Sequence, residues 1–469
     1  MFVMEKIAKR QYKPLNNMLH KLLSVFLIFL TFILIPDSVF GAAPQPVINA
    51  RAAVLIEAQS GRVLFGRDEH RRVFPAATTK VLTAMVVLDH LDPSEILIAG
   101  PEINELSIHS ARSGHVNGEH ISVHSLLRAL FIMTGNDTAN ILALNVARRV
   151  TGNDNISFEE GTRVFMDLMN QKAWGIGALH SHFANSHGYH DNDLFTTAYD
   201  MALITRAALE IDFIRELASE TSWAGNGAGP NPDPNWLTRN YNMQTANQLL
   251  LPGQYFFPDA IGVRTGRTSH AGDVLTAAAE RDGVRLIAVI MDATDPARWR
   301  DSAALFEYGF RNYSHSVIEG GSVIGEVLVQ NPRLQDPDAM ELIMLSSFYG
   351  FFSNHELENF NIDINFIPDQ LENGLLVTPV YQGQILGRAT YSIDGRVIYE
   401  GYFVAARDAE SRSLASDRDY LLGRITAALF TREAVPYWII AGLSLIIISN
   451  IVYKLAKRRR RQTSYFGKF

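Results

Sequence analysis

Pro75-Ala76-Ala77-Thr78-Thr79-Lys80 opens a stretch, residues 78–91, whose apolar residues recur with helical periodicity. Positions 77 and 80, three apart, share one face of such a helix. Two more segments stand far along the chain. Thr134-Gly135-Asn136-Asp137 lies between helical patterns at 123–133 and 137–150. Asp259-Ala260-Ile261-Gly262-Val263 leads into Arg264-Thr265-Gly266, ahead of a strand pattern. Their order carries the information, because each short motif alone recurs by chance.

Working outward, residues 53–58 and 62–66 are apolar strands joined by Gln59-Ser60-Gly61, which predicts a hairpin. Helical periodicity continues at 158–174 and 197–210, and Ser157 with Glu160 has the spacing of a capping box. Residues 224–234, rich in Gly, Asn and Pro, read as an exposed loop. Strands at 274–279 and 284–291 turn at Asp282-Gly283, and a helix at 297–313 follows. Strand pair, many helices, strand pair, helix is an α+β order: a sheet with a helical cluster inserted between its strands. The reading gives a main domain at 44–314. Short β-type runs at 322–329, 375–380, 384–389 and 396–404 predict a small β domain at 315–406, with a stalk at 407–433.

The ends indicate location. Lys6, Lys9, Arg10, Lys13 and Lys21 precede an apolar run at 22–35, and Gly41, Ala42 and Ala43 follow it. That pattern is a secretory signal peptide over 1–43, or an uncleaved anchor. Residues 434–453 are apolar for the length of a bilayer span, with Tyr437 and Trp438 at the entrance. Lys454 and the basic block 457–461 follow at once, so the tail 454–469 is expected in the cytoplasm and the main domains outside. The chain has no cysteine, which excludes disulfides, thiolate catalysis and cysteine metal sites. The net charge of the whole chain, −7, gives no reason to expect nucleic acid, and most of the local basicity sits at the two ends.

The three segments resemble, in order, the S-x-x-K, S-x-N and K-T-G motifs of penicillin-binding proteins and serine β-lactamases. The text around them is similar to the low-molecular-mass D-alanyl-D-alanine carboxypeptidases. Where those read close to P-A-S-T-T-K, this chain has P-A-A-T-T-K; S-G-N-D becomes T-G-N-D, and G-x-K-T-G-x-T becomes G-V-R-T-G-R-T at 262–268. Residues 169–173 and Asn185-Ser186-His187-Gly188 look like further landmarks, and the likeness covers roughly 52–310. The resemblance implies a penicillin-binding, β-lactamase-like fold, no cofactor and no metal.

It also implies roles. Residue 77 would be the nucleophile, Lys80 its base, and the backbone N–H groups of Ala77 and Arg267 the oxyanion donors. Residue 134 would relay protons, Asn136 would hold the peptide, and Arg264, Thr265 and Gly266 would bind the substrate carboxylate. Thr134 keeps a hydroxyl. Arg264 keeps charge but presents a planar fork. Ala77 has no lone pair to attack with, so an acyl-enzyme cannot form there. Thr78 and Thr79 sit about 100° and 200° round the helix and do not replace it. His180, His182, His187 and His190, with Asp191 and Asp193, invite a zinc reading, yet they lack i, i+4 pairing and read as a cleft-lining loop. The expectation is a peptidoglycan-facing family member that binds D-Ala-D-Ala stem peptides, or scaffolds other cell-wall enzymes, without serine turnover. An active carboxypeptidase with unusual residues and a vestigial structural membrane protein are the alternatives.

Overall fold

The computed structural model describes residues 44–226 and 240–465, so the signal-peptide region lies outside the described residues. Two compact units are present: residues up to Ser316 together with Gly350–Glu358, and Val317–Tyr349 together with Asn359 onward.

The first unit is built on a five-stranded antiparallel sheet. Its strands are β1 (Ala52–Glu57), β2 (Val63–Arg67), β3 (Ala260–Thr268), β4 (Gly272–Arg281) and β5 (Val284–Ala293), in the order β2-β1-β5-β4-β3. Strands β1, β4 and β5 read as largely apolar runs because both faces are covered. Ala52, Val54, Ile56, Val274, Ile287, Val289 and Met291 face one core, while Ala53, Leu55, Leu275, Leu286, Ala288 and Ile290 face another. This is the period-2 alternation of a strand divided between two buried surfaces.

The first core holds the inserted helices α1 (Thr79–His90), α2 (Val123–Ile132), α3 (Asn136–Thr151), α4 (Phe158–Ile176), α5 (Ala198–Leu209) and α6 (Asp212–Ser219). Side chains cap three of them: Ser122, Ser157 and Thr197 accept N–H bonds from Ser125, Glu160 and Asp200. On the other face α7 (Ala297–Asn312) packs Trp299, Leu305 and Phe306 against the sheet. Burying each such large side chain contributes about 1.5–3 kcal/mol. The β-lactamase-like arrangement of sheet and inserted helical cluster is thus present as expected.

Two local expectations change. Residues 224–226 are not loop: Ser222–Asn226 is a strand that pairs with Asn240–Gln244, and 227–239 lie outside the described residues. The segment Gly350–Glu358 returns to the first unit, where Arg62 donates to the Phe351 carbonyl at 2.5 Å and pairs with Glu356.

The second unit contains a five-stranded antiparallel sheet of β6 (Val323–Leu328), β7 (Ala339–Met344), β8 (Phe360–Phe366), β9 (Ile385–Ile393) and β10 (Arg396–Ala405), ordered β6-β7-β10-β9-β8. Met340, Leu342, Met344, Leu386, Tyr391 and Phe403 form its core. Helix α8 (Leu414–Leu429) and the long helix α9 (Val435–Tyr465) follow. The apolar helix Arg432–Arg458 is long and apolar enough to cross a membrane. Trp438 Nε1 donates to the Leu429 carbonyl at 2.6 Å, fixing the corner between α8 and α9.

Candidate active site

Ala77 sits in a 3₁₀ turn, Ala76–Thr78, that feeds directly into α1. Ala76 is in the left-handed region, with φ of 45°, a conformation that costs a residue with a Cβ about 1–2 kcal/mol. Two glycines hold the turn in place. A Cβ on Gly188 would lie 1.7 Å from the Ala76 carbonyl oxygen, and one on Gly266 would lie 2.6 Å from the Ala77 nitrogen and 3.1 Å from its Cβ. The third motif is therefore pressed against the first, on strand β3 rather than ahead of one. Ala77 is half-buried.

Lys80, 1% exposed, reaches the second motif. Its Nζ donates to Asn136 Oδ1 at 2.7 Å and to the His187 carbonyl at 2.8 Å. Burial, then the charge of Arg264, holds its pKa well below the ordinary lysine range, with Asp137 opposing. Asn136 Nδ2 donates to Ser110 Oγ at 2.5 Å. Asp137 accepts the N–H groups of Ser113, Gly114 and His115 at 2.8, 2.8 and 3.1 Å, tying the 110–115 loop to the start of α3. Thr134 is half-buried in the turn between α2 and α3. The ring of His187 is pushed down to about 3 by burial and the nearby lysine, and its Nδ1 accepts the Tyr189 N–H at 3.0 Å.

The carboxylate-binding set is placed differently from the expectation. Arg264 is buried, and its guanidinium donates to the Phe131 carbonyl and, at 3.1 Å, to the Met133 carbonyl. Its fork thus serves the open C-terminal carbonyls of α2, which any cation favours; burial lowers its pKa to about 10. Thr265 Oγ1 donates to the Val274 carbonyl at 3.0 Å across the ladder. Arg267 is exposed, 3.9 Å from Asp273. The motifs assemble, but two groups expected to grip a ligand are engaged within the protein.

Neither neighbouring threonine reaches the position of a residue-77 side chain. Thr78 Oγ1 donates to the Pro75 carbonyl at 2.6 Å, and Thr79 is fully buried with its hydroxyl unpartnered. The histidines of the loop disperse. His182 Nδ1 contacts the Asp193 carbonyl, His187 lies under Lys80, and His190 stacks on His270 with ring centroids 3.6 Å apart. Among the described residues no three His, Asp or Glu side chains converge as a metal site.

Sequence reasoning missed the His187 carbonyl, which is a backbone contact. It also missed Arg298, which donates to Asp273 and, at 3.3 Å, to the Gly266 carbonyl. No spacing marks Arg298, because α7 lies more than 30 residues beyond the motif. A cavity of about 570 Å³ at the β1–β2 and β4–β5 turns is lined by Glu57, Arg206, Glu280 and Arg285 and contains none of the motif residues. The Glu57 carboxylate there already accepts from the Gln59 and Ser60 N–H groups.

This geometry defines a protein of the penicillin-binding fold, and the chain belongs to the D-alanyl-D-alanine carboxypeptidase family, whose model matches residues 40–295. Among curated relatives it is similar to the D-alanyl-D-alanine carboxypeptidase DacF of Bacillus subtilis, 26% identical over 77% of this chain and 86% of that one. It is also similar to DacD of Escherichia coli, 30% identical over 60% of this chain and 69% of that one. The solved structure of penicillin-binding protein 5 from Haemophilus influenzae covers 79% of this chain and 100% of its own, with 23% identity and a TM-score of 0.55. The carboxypeptidase DacD from Francisella tularensis covers 81% and 98%, with 21% identity and a TM-score of 0.57. At these identities the structures speak to the fold.

Proposed function

We propose that this chain binds D-Ala-D-Ala-ended stem peptides of peptidoglycan at the outer face of the cell membrane, without acyl transfer through residue 77. The observation that carries the reading is the methyl group of Ala77 beside an otherwise assembled pair, Lys80 and Asn136, and a close-packed Gly266. Family membership supports the substrate class, and the apolar helix Arg432–Arg458 with the basic residues behind it supports tethering with the main body outward.

In this reading Asn136 and Thr134 hold the peptide, and the N–H groups of Ala77 and Arg267 hold its carbonyl oxygen. Lys80 keeps Asn136 in place. The terminal carboxylate needs a cation. Arg264 supplies one only after leaving the carbonyls of α2, so binding is weaker than in a site whose cation is free. The rival reading, catalysis by a neighbouring hydroxyl, is opposed by Thr78 Oγ1, which donates to the Pro75 carbonyl, and by Thr79, which lies off the face of residue 77.

The test is titration of the full-length protein in detergent with an N-acylated peptide ending in D-Ala-D-Ala, against the same peptide ending in L-Ala-L-Ala. Saturable binding of the D-form alone supports the proposal. Equal binding of the two, or none, removes it and leaves a vestigial cleft.

A further inference from the structure

Lys80 Nζ has two acceptors, Asn136 Oδ1 at 2.7 Å and the His187 carbonyl at 2.8 Å. An ammonium has three N–H donors, whereas a free amine has two and a lone pair. The two acceptors therefore satisfy the free amine in full. Protonation would add a third donor to a side chain that is 1% exposed, and a buried donor without a partner is unfavourable. Burial and the charge of Arg264 disfavour a second cation and outweigh Asp137, which favours one, and the imidazole of His187 stays neutral near pH 7.

In the S-x-x-K arrangement a serine oxygen stands one helical turn before the lysine on the same face and takes the acyl group itself. Here residue 77 ends at Cβ. No side-chain oxygen of that residue stands between Nζ and a carbonyl seated in the cleft, and Gly266 adds no side chain beside Ala77. Attack by Nζ requires a carbonyl carbon that passes the Ala77 methyl to within roughly 3–3.5 Å of it, a near-attack arrangement.

We propose that Lys80 is itself an acyl acceptor. A strained acyl donor bound in this cleft, of the β-lactam class, transfers its acyl group to Lys80 Nζ and stays there as an amide. The inference rests on the reading that residue 77 is not acylated. The Nζ lone pair forms the new C–N bond, the lactam C–N bond breaks, and one Nζ proton passes to the lactam nitrogen. Nothing is oxidised or reduced, and no co-reactant is needed. Release of ring strain drives the step; an unstrained D-Ala-D-Ala peptide has no such drive and binds without reacting. Since the product is an amide, each molecule reacts once.

The experiment incubates the full-length protein in detergent with benzylpenicillin at pH 7, followed by intact-mass measurement and peptide mapping. The expected result is a single penicilloyl adduct on Lys80 that survives hydroxylamine and forms at least tenfold faster than any adduct on the half-buried Lys172. Lys80→Gln abolishes it. Ala77→Ser, which leaves the buried lysine in place, diverts the acyl group to the new hydroxyl as a hydroxylamine-labile ester. An unmodified Lys80 in protein that still binds the D-Ala-D-Ala peptide overturns this inference and leaves the proposed function standing. A hydroxylamine-labile adduct on Thr78 or Thr79 overturns both.

Discussion

Ala77→Ser is the most instructive perturbation. The turn that carries residue 77 is already held in its strained form by Gly188 and Gly266, and Lys80 already lies one turn on. The substitution therefore adds one oxygen to a placed scaffold. Loss of a serine nucleophile costs on the order of a millionfold in turnover. Recovery is incomplete, because the Arg264 guanidinium is bonded to the carbonyls of Phe131 and Met133 and the Thr265 hydroxyl to that of Val274. Two missing hydrogen bonds to a charged ligand, at about 1.5–3 kcal/mol each, amount to about 3–6 kcal/mol, or roughly 10²–10⁴ in rate. The expected gain is thus about 10²–10⁴ over the native chain in D-alanine release from a D-Ala-D-Ala peptide, with a hydroxylamine-labile fluorescent penicillin adduct. A folded Ala77→Ser protein that binds the peptide yet shows neither signal would refute the claim that Lys80 and the turn around residue 77 form a scaffold lacking one oxygen.

Other consequences follow from the same contacts. Arg264→Lys retains charge but cannot span two carbonyls with a planar fork, so thermal unfolding should show a loss of about 1–3 kcal/mol. Gly266→Ala drives a Cβ to 2.6 Å from the Ala77 nitrogen; a loss of about 1–3 kcal/mol in denaturant unfolding and weaker peptide binding are expected. His187 is lowered from 6.5 to about 3, so below pH 6.5 the unfolded chain binds the proton that the folded chain refuses. Stability therefore falls as pH drops from 6.5 towards 3, by up to about 3–5 kcal/mol, and His187→Asn should flatten that slope in denaturation curves taken across the window.

The sheet and its inserted helices were legible because strands buried on both faces and amphipathic helices leave strong periodic signals, as at 53–58 and 123–133. Strand β3 was not, since Gly262, Arg264 and Gly266 interrupt its apolar pattern, although its backbone is fixed by pairing with β4. Helix α6 has only Ile214, Leu217 and Ala218 buried, too little to stand out in eight residues. In the second unit, β7 and β8 mix polar and apolar residues with partial burial, and β7 pairs on one side with β10, far along the chain.

At the site, the order of three motifs gave the constellation, while the direction of Arg264 could not be read. A guanidinium suits a ligand carboxylate or a helix C-terminus equally by residue type. Only the position of α2 relative to β3 selects the carbonyls of Phe131 and Met133. The His187 carbonyl is likewise invisible, because it would be present whatever the side chain. Ala77 needed no structure to be noticed. The structure adds that its hydroxyl-bearing neighbours are buried and that the lysine beside it is satisfied as a free amine.

The most direct test of the central claim is D-alanine released from a D-Ala-D-Ala-ended peptide by the full-length native protein, measured beside its Lys80→Gln variant. The account predicts no release above the peptide-only control for either protein. Release by the native chain that disappears in Lys80→Gln would contradict it, and would make this cleft catalytic without a serine.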